Sequence, residues 1–428
     1  MKESILHYVW QYKLFSQDKL QTTDGATVEI IDTGKQNFDA GPDFFNAKVR
    51  INDILWAGNI EIHSSSSDWD KHQHQTNKAY KNVILHVVKN ADTDIFNIDN
   101  EKIPQLILRY PDYINHNYEQ LLSEQKWIPC ADKIQYVPAV NIESWKDSLL
   151  IERLQQKTTT ITQLLNANMQ HWEESFYVVL ARSFGFGVNS QVFERLAKSL
   201  PLTVLGKHKD SLHNIEALLF GQSGLLADAT DNDQYINDLR RTYHFLRAKY
   251  ELQPIDGSQW KLLRLRPDNF PHIRIAQFSA LIHSSSKLFS KIIETPEISY
   301  LRMLFACQPS AYWQTHYVFG RKSKTKTKHL GAKTIDVLLI NTIVPFLFCY
   351  GEQKQQQTYK DKALELLEQL PPEQNAVING WAKVGITASS AYDTQTLLQL
   401  KKEYCDNKKC LRCRIGHKVV AYQNSPEK

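Results

Sequence analysis

A glutamate embedded in an apolar strand pattern constrains this chain more than any other feature. Ile54 to His63 reads as one strand, and within it Glu61 stands between Ile60 and Ile62. A buried strand gains nothing from a carboxylate unless that carboxylate has a partner. A second acid, Asp43, follows Pro42 just before another strand pattern. There Ala47, Val49 and Ile51 alternate with Lys48 and Arg50. Asn52-Asp53 between the two strands is a tight-turn pair. An antiparallel hairpin turning there returns Glu61 to Asp43. Two acids so placed can hold Mg²⁺ or Mn²⁺ through oxygen ligands, an arrangement suited to metal-assisted phosphodiester hydrolysis. His63 lies two residues beyond Glu61 and shares its face. It is expected to orient water, act as an auxiliary base or bind a softer metal.

The pattern around this pair predicts a small α/β core. Residues 4–15 have helical spacing, with Ile5, Tyr8, Val9 and Tyr12 on one face. Val28 to Ile31, Val83 to Val88 and Gln105 to Arg109 read as further strands, and a helix is expected around Trp69 to Tyr80. From about Asn141 the texture becomes helical, with few strand signals. The predicted fold class is α+β in three parts. Residues 1–140 form the α/β metal-binding core, residues 141–400 a mostly helical domain, and residues 401–428 a basic, cysteine-rich segment folded back onto the body. The most apolar stretch, Ile335 to Tyr350, is broken by Asp336, Asn341 and Pro345 and reads as a buried helix. The beginning Met1-Lys2-Glu3-Ser4-Ile5 does not have a signal-peptide layout. A cytoplasmic location without membrane association is expected. Oligomeric state is left open.

Two further clusters are rich in metal-binding side chains. His72-Gln73-His74, with His63 and His86 nearby, would suit Zn²⁺ or Mn²⁺ in a loop or strand, whereas on a helix the two rings would diverge. The second cluster is Cys405, Cys410, Cys413 and His417. With no export signal, metal binding is favoured over a disulfide framework. A structural Zn²⁺ on Cys405, Cys410 and Cys413 is expected, with His417 or the distant Cys130 as fourth ligand. An iron–sulfur cluster using Cys130 is the alternative.

Net charge is +5, and residues 401–428 alone hold eight Lys/Arg against three acids. Arg321, Lys322, Lys324, Lys326 and Lys328 form a second basic run. These residues, with Arg412 and Arg414, are the candidate contacts to a polyanion such as nucleic acid.

The residues Pro42-Asp43 and Glu61-Ile62-His63, in a helix–strand–strand–strand–helix–strand order, resemble the PD-(D/E)xK nuclease superfamily. The resemblance implies a metal-dependent nuclease with Asp43 and Glu61 as ligands. Glu3 stands where such cores often carry another acid. Histidine replaces the superfamily's lysine at position 63, so either His63 substitutes, a lysine such as Lys78 reaches in, or the core is inactive. Over its length the chain also resembles an uncharacterised bacterial family, domain of unknown function 2851. That resemblance is carried by GPDFFNAKVRI, GNIEIHSSSSDW, NVILHVV, WIPC, RPDNFP and YCDNKKCLRCRIG. The expected function is metal-dependent cleavage of nucleic acid. The alternatives are an inactive nuclease-fold scaffold that binds nucleic acid or protein, and a metallohydrolase of small phosphates.

Overall fold

The computed structural model describes residues 3–227, 229 and 233–423. The chain divides into two compact units, Met1–Trp145 with Leu400–Lys428, and Lys146–Gln399. The first holds a mixed sheet and the second is largely helical, an α+β architecture.

The first unit opens with helix α1 (Glu3–Gln11), whose Leu6, Val9 and Trp10 are fully buried. Five strands then build the main path of the sheet: β1 (Val28–Asp32), β3 (Phe44–Ile51), β4 (Ile54–Ser65), β5 (Val83–Asn90) and β6 (Gln105–Ile107), in that spatial order. A two-residue strand, β2 (Lys35–Gln36), pairs with β3 off this path. The β1–β3 and β3–β4 pairs are antiparallel, whereas β4–β5 and β5–β6 are parallel. The hairpin turns at Asn52, which takes a left-handed φ of 51°, a conformation asparagine tolerates better than most residues. Ile51 faces Ile54 at the turn and Phe44 faces Ile60 at the far end. A short helix, α2 (Asp68–Lys71), follows β4, and helix α3 (Asp112–Ser123) follows β6.

Burial along β4 is uneven, and this positions the site. Ile54, Leu55 and Trp56 at its start are exposed, while Ile60, Glu61, Ile62 and His63 near its end are buried. Alternation then sends Ile60 and Ile62 to one face and Glu61 and His63 to the other. At Gly58 the strand passes so close to its neighbour that an added Cβ would lie 2.3 Å from Ile84 Cγ2 and 2.7 Å from the Asn82 carbonyl oxygen.

The second unit contains the helices whose periodicity the sequence carries, among them Trp172–Phe184, Ser190–Ser199, Leu212–Gln222, Gln234–Tyr250, Pro271–Ser284 and Gln357–Gln369. Asp233 caps Gln234–Tyr250 by accepting the Tyr235 N–H. The helical stretch Ala332–Gln353 is long and apolar enough to cross a membrane by composition, and 78 % of its apolar window is buried inside the protein. A π-helical turn at Leu339–Ile343 interrupts it ahead of Pro345.

Gly58→Ala is expected to destabilise the protein by about 1–3 kcal/mol through overpacking between β4 and β5. A denaturant titration should show a lower midpoint with an unchanged slope.

Candidate metal centre

Asp43 and Glu61 meet where the β3–β4 hairpin closes. Each carboxylate accepts an N–H from the other acid's strand. The Asp43 N–H donates to Glu61 Oε2 at 3.1 Å, and the Ile62 N–H donates to Asp43 Oδ2 at 2.9 Å. The pair is thus clasped by backbone donors. The parallel register sets His86 of β5 opposite Glu61. His63, on the Glu61 face, shares a hydrogen bond of 2.9 Å between its Nδ1 and His86 Nε2.

The expected helix over Trp69 to Tyr80 does not form. Helix α2 ends at Lys71, Gln73 adopts a left-handed φ of 60°, and two 3-10 turns follow at His74–Thr76 and Lys78–Tyr80. The break has a chemical consequence. His72 and His74, which would diverge on a helix, both turn toward His63. His72 Nδ1 lies 3.1 Å from His63 Nε2. Among the described residues, one ligand atom from each of His63, His72 and His74 comes within 4.8 Å of the others. Glu61 Oε1 completes the group, 3.2 Å from His74 Nε2 and 3.5 Å from His63 Nε2. The fully buried Trp69 walls the group in, its ring edge-on to His74 and His86.

The electrostatics of this pocket follow from its dryness. Burial, reinforced by the Asp43 charge, holds the Glu61 carboxyl well above the usual carboxylate range. Burial, then the neighbouring His86, His74 and His72, push His63 down to about 3. Burial takes His86 down to about 4 and lowers His74 as well. These imidazoles are therefore neutral at pH 7, the form that binds metal. Three imidazole nitrogens with one carboxylate suit Mn²⁺ or Zn²⁺ better than Mg²⁺, which prefers an all-oxygen shell. The donor set thus differs from the Asp43–Glu61 oxygen pair expected from the sequence. Glu61 faces the histidines, whereas Asp43 faces a different partner.

That partner is His7 on α1, which the sequence shows only as one polar residue in an amphipathic helix. Its Nε2 lies 3.2 Å from Asp43 Oδ2. Burial alone would lower its pKa, but the hydrogen bond and charge of Asp43, helped by Glu3 and Glu61, carry it above its ordinary value. Glu3 sits one turn earlier on the same helix, and burial raises its carboxyl too. The pairing of Glu3 with His7 at a four-residue spacing is the local signal that points here. His7 also lines a cavity of about 350 Å³ whose other walls include Tyr8, Asn37, Phe38 and Arg412. The Arg412 guanidinium lies 4.3 Å from the centre of the Phe38 ring.

Other expected residues lie elsewhere. Lys78 is exposed on its 3-10 turn. Lys328 is buried, its ammonium donating to the carbonyls of Trp313 and Gln314 at 2.6 and 3.0 Å, so it is spent inside the fold rather than offered to a polyanion. Lys326 pairs with Asp268 at 2.6 Å. Arg321, Lys322 and Lys324 are exposed. Arg414 donates to the Ser144 carbonyl at 2.8 Å. His417 does not join the cysteines: its Nδ1 lies 2.8 Å from the Tyr8 hydroxyl, and its ring lies 4.3 Å from that of Tyr12. Cys130 does join them, close enough that burial and the charges of Cys413 and Cys410 push its thiol up to about 12.

Residues 3–376 match the family model described as protein of unknown function DUF2851. The chain belongs to that family. Cys405, Cys410 and Cys413 lie beyond the matched stretch. Neither the curated proteins nor the solved structures yield a match.

In metal-free protein the Glu61 proton is retained by the fold after the unfolded chain has released it. Glu61 therefore subtracts stability as pH rises from its unfolded pKa of about 4.3 toward its raised folded value. The loss approaches at most about 1.4 kcal/mol per pH unit. Chemical denaturation in EDTA at pH 6 and pH 8 should show Glu61→Gln gaining on the wild type at the higher pH. A difference that stays constant between the two pH values would show that Glu61 is ionised in the fold.

Proposed function

We propose that this protein is a metal-dependent hydrolase of phosphodiester bonds in nucleic acid, with Glu61, His63, His72 and His74 as the ion's ligands. The observation that carries this reading is the convergence of one carboxylate oxygen and three imidazoles beside the Asp43–His7 pair, which borders a cavity walled by Arg412. Bound there, a Mn²⁺ or Zn²⁺ ion supplies Lewis-acid polarisation of a phosphoryl oxygen.

The remaining roles fall to side chains. His63 is a ligand rather than the auxiliary base, because a ring held neutral to about pH 3 cannot take a proton in the working range. His7 carries its proton to higher pH than a free imidazole and serves as general acid to the leaving oxygen. The Asp43 carboxylate, 3.2 Å from that ring's Nε2, stabilises its charged form. Arg412 offers a planar, permanently charged fork that matches a phosphate. The exposed Arg321, Lys322 and Lys324 supply diffuse attraction for a polyanion. On this reading the role of the missing lysine is shared between the metal, His7 and Arg412. The inactive-scaffold reading keeps the basic surface and drops the chemistry.

The purified protein should cleave DNA or RNA with Mn²⁺ and lose this activity in EDTA. Glu61→Gln and His74→Ala should each lower the rate by about 10²-fold or more. His7→Gln should lower it by about 10²–10⁴-fold and abolish the fall in rate as pH rises through the His7 pKa. Arg412→Ala should chiefly raise KM. Binding of nucleic acid without turnover under Mn²⁺, Zn²⁺ and Mg²⁺ would sink the hydrolase and leave the scaffold.

A further inference from the structure

Six cysteines occur in the chain and all are free thiols. Two are accounted for by helical packing: Cys307 donates to the Gln277 carbonyl, and Cys349 meets Thr162 Oγ1. The other four converge in the first unit. Cys410 and Cys413 flank a 3-10 turn, Cys405 ends the π-helical turn Leu400–Cys405, and Cys130 approaches from the other end of the sequence. Burial and the mutual proximity of these thiols raise the pKa of Cys405 and Cys410 as well as that of Cys130.

We propose that Cys130, Cys405, Cys410 and Cys413 bind an iron–sulfur cluster as four thiolates. Four features of the site support this. The first is spacing: Cys405 and Cys410 are separated by four residues and Cys410 and Cys413 by two, with the fourth cysteine remote, a pattern that iron–sulfur proteins use. The second is size. A tetrahedral zinc site with bonds of about 2.3 Å sets its sulfurs about 3.8 Å apart. Among the described residues, the group drawn within 4.8 Å is the histidine trio and not the cysteines, so these thiols are not held at the spacing a single zinc ion sets. The third is hydrogen bonding to sulfur. The backbone N–H groups of Ile415 and Gly416 are directed at Cys413, and so is the indole N–H of Trp145. Trp145 is 8 % exposed and, among the described residues, its Nε1 has no nitrogen or oxygen acceptor. Such donors stabilise a cluster-bound thiolate and tune its potential.

The fourth feature is Gly416. An added Cβ there would lie 2.1 Å from the Cys410 carbonyl oxygen, so only glycine allows the 410–413 turn to close against the helix Arg414–Val420. Incorporation is transfer of a preformed cluster from the cell's assembly machinery: the four thiols replace the carrier's ligands on iron and release their protons as the iron–thiolate bonds form. The cluster ties residue 130 to residues 405–413 and thereby fixes Arg412, which lies between two of its ligands.

This inference is independent of the hydrolase reading and is tested without activity. Protein purified under anaerobic conditions should be brown. It should show broad visible absorption and contain about two to four iron atoms with matching acid-labile sulfide per chain. Cys130→Ser and Cys413→Ser should lose the colour and iron, whereas His417→Ala should keep both. Gly416→Ala should lower cluster occupancy. One zinc per chain with no iron or sulfide would overturn the proposal, as would iron content unchanged in Cys130→Ser. Should the cysteine variants fail to fold, the metal and sulfide content of the wild type and of His417→Ala still decides.

Discussion

The clasp between Asp43 and Glu61 is the constraint on which the first unit depends. Two carboxylates are brought together at the end of a hairpin, and each is held by the other strand's backbone N–H. Burying two like charges side by side is costly. Three features of the surroundings offset that cost. Glu61 holds its proton in the absence of metal, His7 supplies positive charge to Asp43, and a row of neutral imidazoles surrounds Glu61. Neutralising one member of this set changes the cost of all the others. Replacing such a buried ionic set by apolar residues of the same shape is often neutral or stabilising. Under the proposed reading the acids are kept for the site rather than for stability.

What the sequence reveals and what it hides divide along the range of the interactions involved. The hairpin was legible because alternation, a turn pair and an out-of-place glutamate are local signals. The helical texture beyond residue 141 was legible for the same reason. The histidine geometry was not. It rests on Gln73 in a left-handed conformation, which a non-glycine residue adopts only when its surroundings enforce it. Propensity therefore favoured a continuous helix over Trp69 to Tyr80, and a continuous helix would have separated His72 from His74. His7 escaped notice because its partner Asp43 lies 36 positions away in sequence, and its one local sign, Glu3 four residues earlier, reads equally as an ordinary helix-surface pair. Lys328 misled for the converse reason: a run of lysines in sequence reads as a solvated surface, yet one of them turns inward to two carbonyls.

The cysteines illustrate a related limit. The cluster at 405–413 is obvious in sequence, but its fourth member is not. His417, four residues beyond Cys413, is the natural local choice, and the fold uses it instead to bind Tyr8 through its ring and carbonyl. That choice couples α1 to the helix Arg414–Val420, which also receives Asn117 through the Val420 carbonyl at 3.2 Å. The N-terminal helix carrying Glu3 and His7 is therefore positioned from two sides, by the sheet it packs on and by the cysteine-rich segment.

Histidine at position 63 carries the chemical argument furthest. A lysine there would bring a mobile positive charge to the acids and leave the cation shell to oxygen atoms. An imidazole brings a neutral nitrogen held between His86 and His72, and with His74 it moves the donor set toward softer metals. A neutral histidine in that place leaves the strand without the proton donor a lysine would be. Under the proposed reading that duty passes to α1, where the surroundings of His7 favour its charged form while those of His63, His74 and His86 oppose it. The division is physically coherent. On that reading the buried ligands His63 and His74 stay neutral, whereas a proton donor must stay charged and therefore sits against a carboxylate at the rim of a cavity.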